Sequence, residues 1–152
     1  LVTNIRKVQS YVLSSRNING GLPPRDYMIY VQTGGVQYIL QGIDSQTNTV
    51  TNLETVKLPQ GIAISGIQIS APGQAPQSTS AATVAYASPY GKMYAIGVTG
   101  DCATTMVAAN LDQTCLLRLS DRQVVVTLLD SKSGTTKTVT MYGVSGTVSI
   151  GN

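Results

Sequence analysis

The chain has 152 residues, which is enough for one domain with a real apolar core. Its charged fraction is only 11%, its formal net charge is +3, and it contains no histidine. The usual nucleophile-and-base arrangements therefore cannot be assembled from sequence neighbours, and the seven acidic residues are scattered mostly at strand ends. We predict no enzymatic activity, no cofactor and no small-molecule substrate.

The first predicted element is an amphipathic helix over residues 1–20. At 100° per residue, one narrow apolar stripe is expected to pack on the domain, and it contains Leu1, Ile5, Val8 and Val12. Val2 and Leu13 form a second, smaller apolar shoulder. A second packing partner is one interpretation of this shoulder, and ordinary surface exposure of scattered apolar residues is the other.

The helix has stop signals but no start signal. No capping residue precedes Leu1, whereas residues 19–24 supply asparagine, glycine and proline in the order that ends a helix. Residues 1–25 carry four basic residues and no acid, and cations such as Arg6 and Lys7 would oppose the dipole of a first turn. We interpret the helix as continuing upstream. The alternative is a short terminal helix that frays.

Residues 26–152 are predicted to be rich in antiparallel strands joined by hairpin-sized connections. The alternation changes phase at residues 65–66, which indicates a β-bulge, and residues 71–80 have the composition of an exposed loop. One helix followed by short strands predicts a single α+β domain over residues 1–152, with the helix on an antiparallel sheet. The predicted strands are 27–32, 36–43, 50–58, 62–69, 83–87, 92–98, 123–129, 136–142 and 147–150.

The two cysteines, Cys102 and Cys115, allow two interpretations. In an oxidising compartment they would form a local disulfide, stabilising the fold by on the order of 3 kcal/mol. In a reducing compartment they would be buried free thiols. A zinc site is disfavoured because histidine and a CxxC pair are both missing from the sequence.

No other metal site or nucleic-acid site is predicted. The segment 44–48 is similar to the opening of a calcium loop, but it lacks the following glycine and ends with Thr55 where the bidentate glutamate belongs, so we interpret it as a turn. The main concentration of basic residues is on the first helix, where they are spread around its circumference. That distribution does not favour nucleic-acid binding.

Four segments in succession resemble the globular part of type IV pilin-like proteins, in particular the GspH/FimT class of minor pilins and pseudopilins. They are IRKVQSYVLSSRNING, YMIYVQTGGVQYILQGID, ETVKLPQGIAISGI and VSGTVSIGN. The resemblance covers nearly the whole chain, and its specificity comes from the order of the segments. It implies a pilin-like α+β fold, with a leader peptide and a hydrophobic helix upstream of Leu1, and a methylated first residue after processing.

The resemblance also implies a function. Such proteins are structural subunits of a type IV pilus or a type II secretion pseudopilus, anchored in the inner membrane and assembled into a filament through the N-terminal helix. The partners would be other pilin or pseudopilin subunits, and the domain would lie on the outer face of the cell envelope. In this picture Leu1, Ile5, Val8 and Val12 pack on the sheet, whereas Val2, Arg6 and Leu13 contact neighbouring subunits. A position outside the cytoplasm favours the Cys102–Cys115 disulfide.

Two other functions stay open. In the first, the chain is a filament-borne adhesin or a DNA-binding minor pilin, in which loop 71–80 or loop 102–115 carries recognition. The DNA-uptake members of the class use a basic C-terminal region, whereas this chain has no basic residue after Lys137 and has Thr147 where relatives often place arginine. In the second, the chain is an unrelated secreted, β-rich structural domain.

Overall fold

The computed structural model describes residues 1–14, 26–44, 46–87, 92–103, 113–143 and 147–151. Within these ranges the chain forms two helices and ten strands. Helix α1 covers Val2–Ser14, and helix α2 covers Gln113–Leu119. The strands are β1 Asp26–Gln32, β2 Gln37–Ile43, β3 Val50–Lys57, β4 Ile62–Ser70, β5 Gln77–Ser78, β6 Ala81–Ala87, β7 Lys92–Ile96, β8 Gln123–Asp130, β9 Thr136–Tyr142 and β10 Val148–Gly151.

The strands divide into two antiparallel sheets of five strands each. The first sheet has the order β3-β2-β1-β6-β7, and the second has the order β10-β9-β8-β4-β5. Their inner faces meet in one apolar core, to which β1 contributes Ile29 and Val31 and β8 contributes Val124 and Val126. These pairs are two residues apart because side chains of a strand alternate between its faces.

The central strand β1 is buried on both faces. Its residues Asp26 to Ile29 are all buried, which breaks the alternation expected of a half-exposed strand. Met28 points away from the main core and joins a second cluster, in which Cys115 and Leu119 of α2 pack on the first sheet. Helix α2 therefore covers the outer face of that sheet.

The predicted α+β class is wrong. The described part of the chain is mostly antiparallel β-sheet, with two short helices, and it is not a pilin with a long helix on a sheet. The physical reason is that the two sheets bury each other's apolar faces, so the core does not depend on a helical layer. Strand alternation indicates which face of a strand is buried, but it does not indicate whether the covering layer is a helix or a second sheet.

Helix α1 packs on β1, β6 and β10 along the predicted stripe. Ile5 and Val8 are buried, and Leu1 is partly buried against the same core. Asn4 donates a hydrogen bond to the Tyr38 hydroxyl at 2.7 Å, which ties the helix to β2. In the described part of the chain, neither helix is long and apolar enough to cross a membrane.

Several local expectations are confirmed, and two elements differ from them. The pairing of β4 with β8 shifts register between Ile64 and Gly66, which is the predicted bulge. Loop 71–80 contains the short strand β5, which pairs with the end of β4. Helix α2 lies in a stretch for which the sequence analysis predicts no helix or strand. Seven residues make fewer than two full turns, which is too short for a clear helical period.

We predict that Ile5→Ala lowers the free energy of unfolding by about 3 kcal/mol, because it leaves a cavity between α1 and the sheets. Arg6→Ala is the matched control, since Arg6 is exposed on the same helical turn and its loss should change stability by less than about 0.5 kcal/mol. Urea unfolding of both variants measures the difference. Equal losses in the two variants would show that α1 is not docked through Ile5.

Candidate interaction site

A polar cleft lies where helix α2, segment 71–77 and the turn 98–101 meet. It is beside the end of β4 and has a volume of about 120 Å³. Such a volume is below the range of small-molecule pockets, so the cleft suits a single protruding side chain rather than a whole ligand. Its polar lining includes Gln74, Gln77, Asp101, Arg118 and Arg122.

The floor of this cleft is held by the buried Arg122 guanidinium. Its Nη2 lies 2.8 Å from Oδ1 of Asp101, in an ion pair whose two side chains are 10% and 7% exposed. Its Nε donates to the carbonyl oxygen of Arg118 in α2, and its Nη1 donates to that of Ala95 in β7, both at 3.0 Å. One side chain therefore joins a helix, a strand and a turn.

Asp101 completes the arrangement with its second carboxylate oxygen. Oδ2 accepts hydrogen bonds from the backbone N–H groups of Gly97 at 2.9 Å and Val98 at 3.0 Å. Burial alone would raise the pKa of Asp101, but the hydrogen bond from Arg122 and the two backbone donors outweigh it, so the pKa lies below its ordinary value of 3.8. Asp101 is therefore ionised at neutral pH.

The next residue, Cys102, is joined to Cys115 of α2 by a disulfide with a Cα–Cα distance of 5.7 Å. Cys115 is buried in the second apolar cluster, whereas Cys102 is exposed. The Thr79 hydroxyl donates to the carbonyl oxygen of Gly97. The end of loop 71–80 and the first residue of loop 102–115 therefore lie on the same part of the surface. They are held there by the disulfide, by the Arg122–Asp101 ion pair and by the hydrogen bond from Thr79.

The residues predicted on α1 are only partly brought together. Leu1, Ile5 and Val8 share one face, as described above, and the side chains of Val12 and Leu13 lie outside the described part of the chain. Val2 is half-buried against the main core, which also contacts Val148 of β10, so it belongs mainly to the packed face. Among the members of the predicted subunit-contact set whose side chains the structure describes, Arg6 is exposed and available to a neighbour.

The residues at the cleft have only weak signals in the sequence. Asp101 looked like an ordinary turn residue, and nothing near it in the sequence points to Arg122, which is 21 positions later. The four-residue spacing of Cys115 and Leu119 was a usable signal for one buried face of α2. Arg122 follows Leu119 by three residues, and cationic side chains near the end of a helix commonly bind its last carbonyl groups.

The described residues contain no group of three or more side chains that could hold a metal ion. Asp44, at the calcium-like segment, instead accepts backbone hydrogen bonds from Gln46 at 2.8 Å and Thr47 at 2.7 Å. These bonds lower the pKa of Asp44 and form an Asx turn.

Comparisons with protein-family models, curated proteins and solved structures find no match for this chain. Its function is therefore inferred from its own residues and contacts, together with the resemblance in its sequence.

We predict that Asp101→Asn lowers the free energy of unfolding by about 3 kcal/mol, because it leaves the buried Arg122 without its counter-charge. The pKa of Asp101 is lowered in the folded state, so its stabilisation is present above pH 3.8 and is lost as the pH falls further. The variant should therefore show a shallower loss of stability below that pH. Urea unfolding at several pH values measures both effects.

Asp130→Asn is the matched control. Asp130 also accepts a backbone and a hydroxyl hydrogen bond, from Lys132 and Ser133, but it is a half-exposed residue at the end of β8 and has no ion pair in the described part of the chain. Its replacement should cost clearly less. If the two variants lost the same stability, the ion pair would not be a main support of this region.

Proposed function

We propose that this protein is a structural subunit of a filament of the type IV pilus or type II secretion pseudopilus kind, and that it contacts neighbouring subunits through the exposed face of α1. The observation that carries the proposal is the two-sided character of this helix. One stripe is buried in the core, while Thr3, Arg6 and Ser10 are exposed on the other side. The proposal does not depend on an α+β arrangement.

The two cations of α1, Arg6 and Lys7, differ in their contacts with the rest of the domain. Lys7 Nζ lies 3.1 Å from Oε2 of Glu54 on β3, so this cation belongs to the helix–sheet contact. Arg6 forms no ion pair with any carboxylate of the described residues. A neighbouring subunit can therefore bind Arg6 without first breaking an internal contact.

The disulfide supports a location outside the reducing cytoplasm. Disulfides are rare in cytosolic proteins and are common in the periplasm and at cell surfaces. The bond between Cys102 and Cys115 stabilises α2 on the first sheet, so an oxidising compartment would strengthen the fold. We therefore propose that the domain lies on the outer side of the inner membrane, as part of a cell-envelope subunit.

We predict that Arg6→Glu lowers incorporation of the subunit into filaments at least fivefold, because a reversed charge in a subunit contact costs about 1 kcal/mol or more. The measurement is an immunoblot of filaments sheared from cells that make the full gene product. Lys57→Glu is the matched control, since it reverses an exposed cation that belongs to β3 and not to α1. Normal incorporation of Arg6→Glu would argue against this face as a subunit contact.

A filament-borne binding role is a second candidate, and it is favoured by the cleft that Gln74 and Gln77 of the proposed recognition loop 71–80 line beside Arg118. For DNA as the ligand, however, the charge is small, because Arg122 is neutralised by Asp101 and Arg118 is left as the exposed cation of the cleft. A subunit without a DNA-binding role should pass through a DNA column even at low salt. Retention that is lost in Arg118→Gln would instead favour the binding role.

A further inference from the structure

A wider groove adjoins the polar cleft and shares Ala71, Gln74 and Arg122 with it. It lies where β4 ends, β8 begins and β9 ends, and its volume is about 420 Å³. That volume is within the range of pockets that hold a whole small ligand, whereas the cleft has room for a single side chain. Leu1 lies beside Leu128, near the other end of β8, so this groove is open whatever surrounds Leu1.

Three neighbouring strands place a hydroxyl, an amide and a phenol side by side at the base of the groove. Gln123 of β8 is directly opposite Ser70 of β4 and Tyr142 of β9 in the two antiparallel ladders. Residues directly opposite each other point to the same face of a sheet. The adjacent residues Val124 and Met141 are buried in the core, so the row of three points outward.

The walls of the groove are fixed by backbone contacts. On one side, the N–H of Gln74 donates to the carbonyl oxygen of Ala71 at 3.0 Å and closes the turn 71–74. On the other side, the N–H of Gly143 donates to the carbonyl oxygen of Arg122 at 2.9 Å. A Cβ at position 143 would lie 2.8 Å from the Cα of Asp121, so glycine allows this close approach. Asp121 is thereby held beside the end of β9.

The polar side chains of the groove are available to a ligand. Gln74, Gln123 and Tyr142 form no side-chain hydrogen bond with another residue of the described ranges. Asp121 is exposed, and its Oδ2 accepts one long hydrogen bond from the Ser120 hydroxyl at 3.4 Å, which leaves Oδ1 for a ligand. Together these side chains offer donors and acceptors in the form of two carboxamides, a carboxylate and a phenol.

This lining suits a neutral ligand with many hydroxyl groups, which is the chemistry of a sugar. Carboxamide and carboxylate groups can bind adjacent hydroxyl groups, and the ring of Tyr142 offers an apolar surface for the C–H face of a sugar ring. An anion is disfavoured, because Asp101 compensates the charge of Arg122 and Asp121 keeps its own. An apolar ligand would leave the polar groups of the groove unpaired.

The sheet face beyond the groove is polar and uncharged as well. The outward positions of β9 that precede Tyr142 are all threonines, at 136, 138 and 140. Gln68 of β4 and Ser149 of β10 continue the same face. By this register, no acidic or basic residue occupies an outward position on the described strands β4, β8, β9 and β10. A ligand of several sugar units therefore has room to extend along the sheet.

We propose that this groove binds a neutral sugar unit, which stacks on the ring of Tyr142 and forms hydrogen bonds with Asp121 and Gln123. Gln74 in the turn 71–74 is the fourth contact. The inference goes beyond the proposed filament role and does not rest on it, because no residue of α1 lines the groove. The outcome of Arg6→Glu in filaments therefore has no bearing on sugar binding.

Titration of the full chain with sugars, followed in proton–nitrogen NMR correlation spectra, tests the proposal. The probes are the methyl glycosides of glucose, galactose, mannose and N-acetylglucosamine, each added to about 20 mM, because a stacked ring with a few hydrogen bonds should bind with a dissociation constant of about 1 mM. We expect saturable shifts from at least one probe at the amides of residues 70–74, 121–123 and 142–143. The proposal is rejected if no probe gives them, or if they map elsewhere. Arginine amide is the cation probe, and shifts from it without shifts from any sugar would also reject the proposal.

Variants of Tyr142 separate stacking on the ring from a general effect of the surface. Tyr142→Ala should weaken sugar binding about tenfold, whereas Tyr142→Phe keeps the ring and should change the dissociation constant less than about threefold. Thr136→Ala is the matched control, since it points outward on the same strand six residues away and should leave binding unchanged. Equal affinities of the two Tyr142 variants would overturn the stacking contact.

Asp121→Asn supplies a test that does not remove the aromatic ring. Asparagine accepts the positive φ of 60° at this position, so the variant should fold normally. It replaces a charge-assisted hydrogen bond with a neutral one and should weaken sugar binding about threefold. The spectrum of each variant without sugar reports its folding. If Tyr142→Ala does not fold, affinity equal to that of Thr136→Ala in Asp121→Asn would contradict the proposed site.

Discussion

The ion pair between Arg122 and Asp101 determines how the outer layer of this domain is attached. Moving two charges out of water is unfavourable, and such a pair persists only when its remaining hydrogen-bonding groups are also satisfied. Here the guanidinium of Arg122 donates to carbonyl groups in α2 and β7. The carboxylate of Asp101 accepts from two backbone N–H groups in the turn that follows β7. The pair therefore fixes α2, β7 and that turn in one geometry.

This attachment explains why the first sheet can be apolar on both faces. The inner face packs on the second sheet, whereas the outer face, with Met28 and Ile43, is covered by α2. A seven-residue helix is too short to be stable alone, so its position depends on packing and cross-links. The Cys102–Cys115 disulfide and the Arg122–Asp101 pair act on the same segment, and loss of either would weaken the cover over an apolar surface.

The sequence revealed local features far better than long-range ones. Alternation located most strands and the bulge near Gly66, and helical spacing placed Ile5 and Val8 on the buried face of α1, because these patterns depend on neighbours in the chain. The division into two sheets and the pairing of Asp101 with Arg122 depend on contacts between distant segments. For the same reason Val2 looked like part of an outer shoulder, although it is partly buried against the main core.

The proposed role requires a domain that binds several neighbours at once. A subunit inside an open polymer needs separate, non-overlapping contacts, since a shared patch would allow one neighbour to exclude another. In this domain the exposed face of α1 and the polar cleft beside α2 share no residue, so a neighbour bound at Arg6 would leave the cleft free.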